Sequence, residues 1–125
     1  MNILVDSSIW IDYFRSGINS GKLDRYIDQN LICINDLILA ELVPFLKVKK
    51  RFRVIQLLYD ITRIPLSIDW KNIIRFQTLC SKNGISKVGI PDLLIVDNVI
   101  QNDLILFTLD KHFRLINKHI NFEIL

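Results

Sequence analysis

Short apolar runs alternate along the chain with stretches whose apolar residues recur at helical spacing. Five short runs, the third of them weak, are largely apolar, as in strands buried on both faces: residues 2–5, 31–34, 64–66, 104–108 and 122–125. Helical spacing predicts intervening helices over residues 9–14, 19–30, 37–46, 51–61, 70–82, 91–100 and 111–118. Strands that alternate with helices indicate an α/β fold, with a central parallel sheet flanked by helices on both faces.

Serine and proline residues mark several helix boundaries. Ser7 and Ser8 are candidate N-caps of the first helix, and Pro91 suits the first turn of the sixth. Pro44 lacks an amide N–H and clashes with the preceding turn, so we expect it to kink or end the third helix locally.

Length and composition predict one domain spanning residues 1–125. Half of the 125 residues are apolar, which is enough for a core without disulfide bonds. Cys33 and Cys80 are far apart in apolar stretches, so we expect both to be reduced core residues. No basic leader and no apolar run of roughly 20 residues is present, so we expect a cytoplasmic protein without a membrane span.

Basic residues are concentrated in one short segment, although the net charge is only +3. This basic segment, residues 47–53, contains Lys47, Lys49, Lys50, Arg51 and Arg53. It is either a solvated turn or a patch that attracts phosphates, and the sequence favours neither.

Four acidic residues occupy positions that are unusual if stability alone is considered. Asp6 and Asp110 follow strands, Asp92 begins an apolar helix, and Glu41 interrupts the apolar run 37–43. Each aspartate also has a structural explanation, because Asp6 and Asp110 could cap helices and Asp92 could interact with a helix dipole. Glu41 is harder to explain, since burying an unpaired carboxylate is costly.

The topology of a parallel sheet offers a way to bring these acids together. Ligands bind such sheets beyond the carboxyl ends of the strands, where Asp6 and Asp110 are predicted to lie. If Glu41 and Asp92 join them, the clustered charges require raised pKa values or a bound cation. Hard oxygen ligands without a cysteine or histidine set favour Mg²⁺, with Mn²⁺ as a substitute, over zinc.

The segments around these acids resemble a known family. Residues 5–14, Val-Asp-Ser-Ser-Ile-Trp-Ile-Asp-Tyr-Phe, resemble the opening of PIN-domain nucleases, most closely the VapC-type toxins of toxin–antitoxin pairs. Ala40-Glu41-Leu42 is similar to the family's helix glutamate, Pro91-Asp92-Leu93-Leu94-Ile95 to its third acid, and residues 108–113 around Asp110 to its fourth. The ordered set covers nearly the whole chain and is more specific than any one segment.

The resemblance implies a PIN fold, endoribonuclease activity and a divalent metal held by Asp6, Glu41, Asp92 and Asp110. It also implies RNA products with a 5′-phosphate and a 3′-hydroxyl, a cognate antitoxin and a homodimer. One departure is the helix after Asp92, which reads Leu94-Ile95-Val96-Asp97-Asn98 where the family is commonly alanine-rich. Asp97 lies about 140° around the helix from Asp92, so we exclude it from the metal site.

Other side chains near the acids have two interpretations each. Ser7 and Thr108 either orient a water or phosphate or serve as structural hydrogen-bonding groups. His112 and His119 are more typical of surface or capping groups than of general acid–base catalysts. Basic residues that could steer RNA towards the acids are Lys49, Lys50, Arg51 and Lys87.

Aromatic and apolar side chains point to partner surfaces. Trp10, Tyr13 and Phe14 could stack bases, but at helical spacing they more often belong to a core or a dimer interface. Trp10, Ile11, Phe14 and the helices within residues 37–61 carry more apolar surface than a small monomer comfortably exposes. We therefore expect a symmetric homodimer and an antitoxin that inserts an apolar helix and a basic side chain near the acids.

Three functions remain compatible with the sequence. The first is a toxin ribonuclease neutralised by an antitoxin, and the second is a solitary PIN nuclease that acts in RNA maturation or decay. The third is a metal-free protein-interaction module that has kept the fold. The full set of acids disfavours the third, and a small antitoxin reading frame beside the gene would separate the first two.

Overall fold

A computed structural model describes residues 2–125 as alternating strands and helices. The strands are β1 (Ile3–Val5), β2 (Ile32–Ile34), β3 (Thr62–Arg63), β4 (Ile105–Phe107) and β5 (Glu123–Ile124). The helices are α1 (Ser7–Phe14), α2 (Ser20–Asp28), α3 (Asp36–Val48), α4 (Phe52–Asp60), α5 (Trp70–Lys82), α6 (Ile90–Gln101) and α7 (Lys111–Asn117). The α/β prediction is therefore confirmed.

All strand pairs in the sheet are parallel, in the order β3-β2-β1-β4-β5. The chain moves outwards from β1 to β3, then returns to the other side of β1 with β4. This reversal places a topological switch point between β1 and β4, where Ile3 pairs with Ile105 and Val5 with Phe107. A parallel sheet of this kind opens a crevice at the switch point, beyond the carboxyl ends of the strands.

Burial of the central strands explains why they are continuous apolar runs. Every residue of β1 and β2 is buried, so helices and loops cover both faces of the sheet there. Cys33 and Cys80 are buried free thiols, as expected. Among residues 2–125, no helix is long and apolar enough to cross a membrane.

The third strand lies at residues 62–63, so its prediction at residues 64–66 is wrong. Thr62 and Arg63 pair with Cys33 and Ile34 at the edge of the sheet, and both are exposed. A two-residue edge strand with exposed side chains carries no apolar pattern. Pro65, which has no amide N–H to donate, lies just outside it.

Pro44 does not end the third helix, which continues to Val48. Proline removes the hydrogen bond to the carbonyl four residues earlier, which belongs to Ala40. Both Ala40 and Pro44 are exposed, so water can solvate that carbonyl and the helix tolerates the proline.

The first helix differs from expectation in its cap and in the burial of its tryptophan. Asp6, rather than Ser7 or Ser8, is the N-cap residue, and its side chain makes no capping hydrogen bond. Trp10 is only 3% exposed, so the interpretation of Trp10 as a core residue is confirmed and its inclusion in an exposed apolar surface is wrong. Its ring stacks on Phe14 and meets Tyr13 edge-on, because residues at i, i+3 and i+4 share one helix face.

Candidate active site

The first acid of the candidate site lies at the switch point. Asp6 directly follows β1 and is 4% exposed, and its amide donates to the Phe107 carbonyl of β4 over 2.9 Å. Two hydroxyl groups fix its side chain. Ser8 Oγ donates a hydrogen bond to Asp6 Oδ2 over 2.9 Å, and Thr108 Oγ1 donates to the same oxygen over 2.8 Å. Ser7 Oγ lies 3.5 Å from Oδ1, at the outer limit of a hydrogen bond. Asp6 is thus held rigidly, with Oδ1 largely free.

Ser8 is a residue that the sequence analysis missed as part of this site. Besides contacting Asp6, its Oγ lies 3.3 Å from Thr108 Oγ1 and accepts a hydrogen bond from the Leu109 amide over 2.9 Å. Thr108 Oγ1 in turn accepts from the Asp110 amide over 3.0 Å. These contacts tie the start of α1 to the segment after β4. Its position two residues after Asp6, at a helix start, was the available signal.

Asp110 caps α7, as its structural interpretation stated. Its Oδ1 accepts from the His112 amide over 2.9 Å and lies 2.9 Å from His112 Nδ1. Asp92 lies in the first turn of α6, where its Oδ2 accepts from the Gly89 amide over 3.2 Å. In both carboxylates the other oxygen makes no hydrogen bond with the described residues, so capping leaves one oxygen of each available as a ligand.

Glu41 extends from α3, which begins at the carboxyl end of β2. Partial burial is the main reason why its pKa is raised from 4.5 to about 6, and the charges of Asp6, Asp92 and Asp110 raise it further. Burial likewise raises the pKa of Asp92, and the charges of Asp110 and Asp6 raise it further. The hydrogen bond from the Gly89 amide acts in the opposite direction and lowers this pKa. The structure therefore brings all four carboxylates into mutual electrostatic range. We call Asp6, Glu41, Asp92 and Asp110 the acid cluster.

The acid cluster is open rather than a closed cage. Among residues 2–125, no group of three or more histidine, cysteine, aspartate or glutamate side chains is arranged to hold a metal ion as it stands. The Glu41 side chain is only partly buried and makes no hydrogen bond with the described residues, so its rotamer is free to change. A cation would draw such side chains inwards, because its attraction for each carboxylate offsets the mutual repulsion that otherwise keeps them apart.

Asp97 does not belong to the acid cluster. It is 2% exposed and accepts hydrogen bonds from Asn72 Nδ2 over 3.4 Å and from Gln101 Nε2 over 2.6 Å. Neighbouring Asn98 donates to the Pro65 carbonyl and accepts from Asn35, the N-cap of α3. The polar residues in the middle of α6 thus join elements of the fold, away from Asp92.

An apolar groove of about 360 Å³ borders Glu41. Side chains from α1 and α3 line it, together with basic residues at its edge: Ile11, Phe14, Arg15, Glu41, Leu42, Phe45, Leu46, Lys49 and Arg51. Lys49 and Arg51 thus face this groove, whereas Lys50 does not line it. Lys87 lies elsewhere, in the loop before α6, so the predicted basic residues do not form one surface.

Protonation of Glu41 should influence stability when no metal is added. Its folded-state pKa of about 6 exceeds the value of 4.5 expected when unfolded, so deprotonation between these values favours the unfolded chain. Stability should fall as pH rises through this window, with the penalty fully present above about pH 6. Glu41→Gln should therefore raise the melting temperature in EDTA at pH 7.5 and have little effect at pH 4.5. An equal shift at both pH values would contradict this coupling.

Comparisons with known proteins agree with this architecture. A family model described as PIN domain matches residues 3–118. A search of curated proteins finds no match.

Solved structures resemble the fold along its whole length. A chain in the crystal structure of VapBC2 from Rickettsia felis, bound to a DNA fragment from its promoter, superposes with a TM-score of 0.78 at 20% identity, covering 100% of this chain and 98% of that one. A chain of DNA-bound VapBC from Salmonella typhimurium superposes with a TM-score of 0.78 at 14% identity, covering 100% of this chain and 97% of that one. A chain of FitAcB from Neisseria gonorrhoeae superposes with a TM-score of 0.77 at 16% identity, covering 98% of this chain and 96% of that one. At these identities the likeness concerns the fold.

Proposed function

The chain belongs to the PIN-domain family, and from this premise we propose that it is a Mg²⁺-dependent endoribonuclease, the VapC-like toxin of a toxin–antitoxin pair. One observation carries the proposal: Asp6 lies buried at the switch point between β1 and β4, where Glu41, Asp92 and Asp110 are close enough for their charges to interact. Perturbed acids in a crevice at a switch point are typical of a functional site.

The chemistry of the donors fits a divalent cation. Asp6, Glu41, Asp92 and Asp110 would hold the ion through carboxylate oxygens, which Mg²⁺ and Mn²⁺ prefer. When bound, the ion supplies charge neutralisation at the scissile phosphate and activation of water. Zinc fits less well, since no cysteine lies at the site and the Nδ1 atom of His112 is already directed at Asp110.

The chain's own residues preorganise these donors. Ser8 and Thr108 direct their hydroxyls at Oδ2 of Asp6, which leaves Oδ1 to face the ligand. Backbone amides hold one oxygen each of Asp92 and Asp110, and this contact limits their rotation. Burial of Asp6 excludes water from the base of the crevice, which strengthens electrostatic interactions there. Ser7 is a weaker contributor at 3.5 Å.

The apolar groove favours a toxin over a solitary nuclease. It adjoins Glu41, so an apolar helix lying in it would bring a basic side chain within reach of the acid cluster. One similar structure is a toxin–antitoxin complex from Klebsiella pneumoniae, which supports a cognate antitoxin as the occupant. Lys49 and Arg51, at the edge of this groove, would then face the antitoxin, and the RNA contacts would fall to Lys87. We place this activity, with its RNA substrate and antitoxin, in the cytoplasm.

RNA cleavage by the purified chain tests the proposed activity. Labelled single-stranded RNA should be cut internally in Mg²⁺, giving 5′-phosphate and 3′-hydroxyl ends, and should stay intact in EDTA. Folded protein that leaves a varied RNA pool intact in Mg²⁺ and Mn²⁺ would favour the interaction module instead. A nuclease that no neighbouring gene product inhibits would favour the solitary enzyme.

We also propose that the protein is a homodimer. Several apolar side chains remain exposed outside the groove, among them Trp70 at 56% and Ile74 at 66%, both beside a second groove on α5. Light scattering at micromolar concentration should give twice the monomer mass, and Ile74→Glu should reduce it to the monomer. A parent protein that is monomeric under these conditions would contradict the dimer.

A further inference from the structure

A polar pocket of about 430 Å³ lies between the loop at residues 83–87 and helix α7. Its lining includes Ser86, Lys87, His112, Lys118 and His119, and no carboxylate. We call it the basic pocket. It is separate from the apolar groove, with which it shares no lining residue.

The basic pocket adjoins the acid cluster through one side chain. His112 lines the pocket, and its Nδ1 lies 2.9 Å from Oδ1 of Asp110. The loop that forms the opposite wall leads directly into the first turn of α6, which carries Asp92. Both walls of the pocket are therefore continuous with segments that carry residues of the acid cluster.

The lysines of the basic pocket have no acidic partner within residues 2–125. Neither Lys87 nor Lys118 forms an ion pair there, and both side chains are exposed.

We propose that the basic pocket binds a backbone phosphate of the RNA that flanks the scissile phosphate at the acid cluster. This inference rests on the proposed ribonuclease function. Lysine ammonium and serine hydroxyl groups are common donors to phosphate oxygens, and such contacts position a strand without reading its sequence. A flanking phosphate held by Lys87 and Lys118 offsets the repulsion that the acid cluster exerts on the RNA.

RNA is a better occupant of this pocket than the antitoxin. An antitoxin helix that binds through apolar side chains matches the groove of Ile11, Phe14 and Phe45, whereas most residues that line the basic pocket are polar or basic. Phosphates recur at every nucleotide, so an RNA with one phosphate at the acids necessarily presents another nearby. The pocket provides positive charge at that neighbouring position.

The test compares the parent with a Lys87→Gln/Lys118→Gln double variant. The matched control is Arg25→Gln/Lys71→Gln, which removes two exposed positive charges from α2 and α5 outside any described pocket. Binding of single-stranded RNA is titrated with salt in EDTA, which keeps the RNA intact. The double variant at Lys87 and Lys118, called the lysine variant, should bind RNA with a smaller dependence on salt. Its slope of log affinity against log salt concentration should be lower by about 0.7 for one lost phosphate contact, and the slope of the control should not change. In Mg²⁺ the lysine variant should raise KM and leave kcat nearly unchanged.

RNAs that carry a neutral linkage in place of one phosphate show which phosphate the basic pocket binds. In a set of RNAs with one methylphosphonate each, the parent should lose affinity at one linkage beside the cleavage site, and the lysine variant should be insensitive there. If both proteins respond equally at every linkage, the pocket does not bind RNA. If only inhibition by a protein partner weakens, the pocket belongs to that partner and the proposal is overturned. A parent protein that cleaves no RNA at all refutes the proposed function itself. That result differs from an active enzyme whose RNA binding has the same salt slope in the parent and in the Lys87→Gln/Lys118→Gln variant, which refutes only the role of the pocket.

Discussion

Replacing Asp6 or Asp92 by asparagine is expected to lower RNA cleavage by about 10²–10³-fold, the usual loss when one preorganised electrostatic group is removed. Asparagine has nearly the same shape but no charge, so the metal loses a ligand while the hydrogen-bond acceptor remains. Without metal, both variants should be at least as stable as the parent, since repulsion within the acid cluster falls. Cleavage rates and melting temperatures in EDTA measure the two effects.

Asp97→Asn is the matched control, because it makes the same chemical change on the same helix as Asp92→Asn. Asp97 bonds to Asn72 and Gln101 in the interior, so this variant should keep its cleavage rate and lose stability. Asp92→Asn should thus lower activity without lowering the melting temperature, and Asp97→Asn should lower the melting temperature without lowering activity. Full activity in both Asp6→Asn and Asp92→Asn would remove these residues from the site.

Phe45→Glu is expected to weaken inhibition by the antitoxin at least about 30-fold, the loss typical of an interface hot spot. Phe45 lines the apolar groove and is 54% exposed, so the fold does not depend on its side chain. A carboxylate there would remove the apolar contact of the ring and would have to be desolvated when an apolar helix binds, a cost that pairing with nearby Lys49 only partly offsets. The cleavage rate without antitoxin should be unchanged, because Phe45 does not belong to the acid cluster.

The probe for this prediction is the product of the small reading frame beside the gene, titrated into the cleavage reaction. Ile18→Glu provides the control, since Ile18 is 97% exposed and lines no described pocket. It introduces the same charge and should leave inhibition unchanged. Inhibition of the Phe45→Glu protein at parental antitoxin concentrations would place the antitoxin elsewhere.

Much of the fold was predictable because its central strands are buried on both faces. Burial requires continuous apolar runs, so β1, β2 and β4 stand out in the sequence with acids or polar residues following them. The helical period of the sequence also places Asp97 and Asp92 on different faces of α6. These features depend on local periodicity, which the sequence displays directly.

Other features depend on contacts between distant segments and left no local pattern. Strand β3 exists because Thr62 and Arg63 pair with β2, although their own side chains are exposed. The role of Ser8 arises from Thr108, a hundred positions away, through contacts across the switch point. The basic pocket likewise combines Lys87 with Lys118 from separate elements. Sequence spacing cannot reveal which basic residues share a surface.

Metal binding by the acid cluster is the central claim, and a melting-temperature titration tests it most directly. Mg²⁺ or Mn²⁺ added to the parent in metal-free buffer should raise the melting temperature saturably, because a ligand that binds only the folded state stabilises it. Asp92→Asn should need a much higher metal concentration for the same rise, whereas Asp97→Asn should respond as the parent does. Equal titration curves for the parent and Asp92→Asn, or no saturable rise in the parent, would contradict a divalent-cation site at these carboxylates.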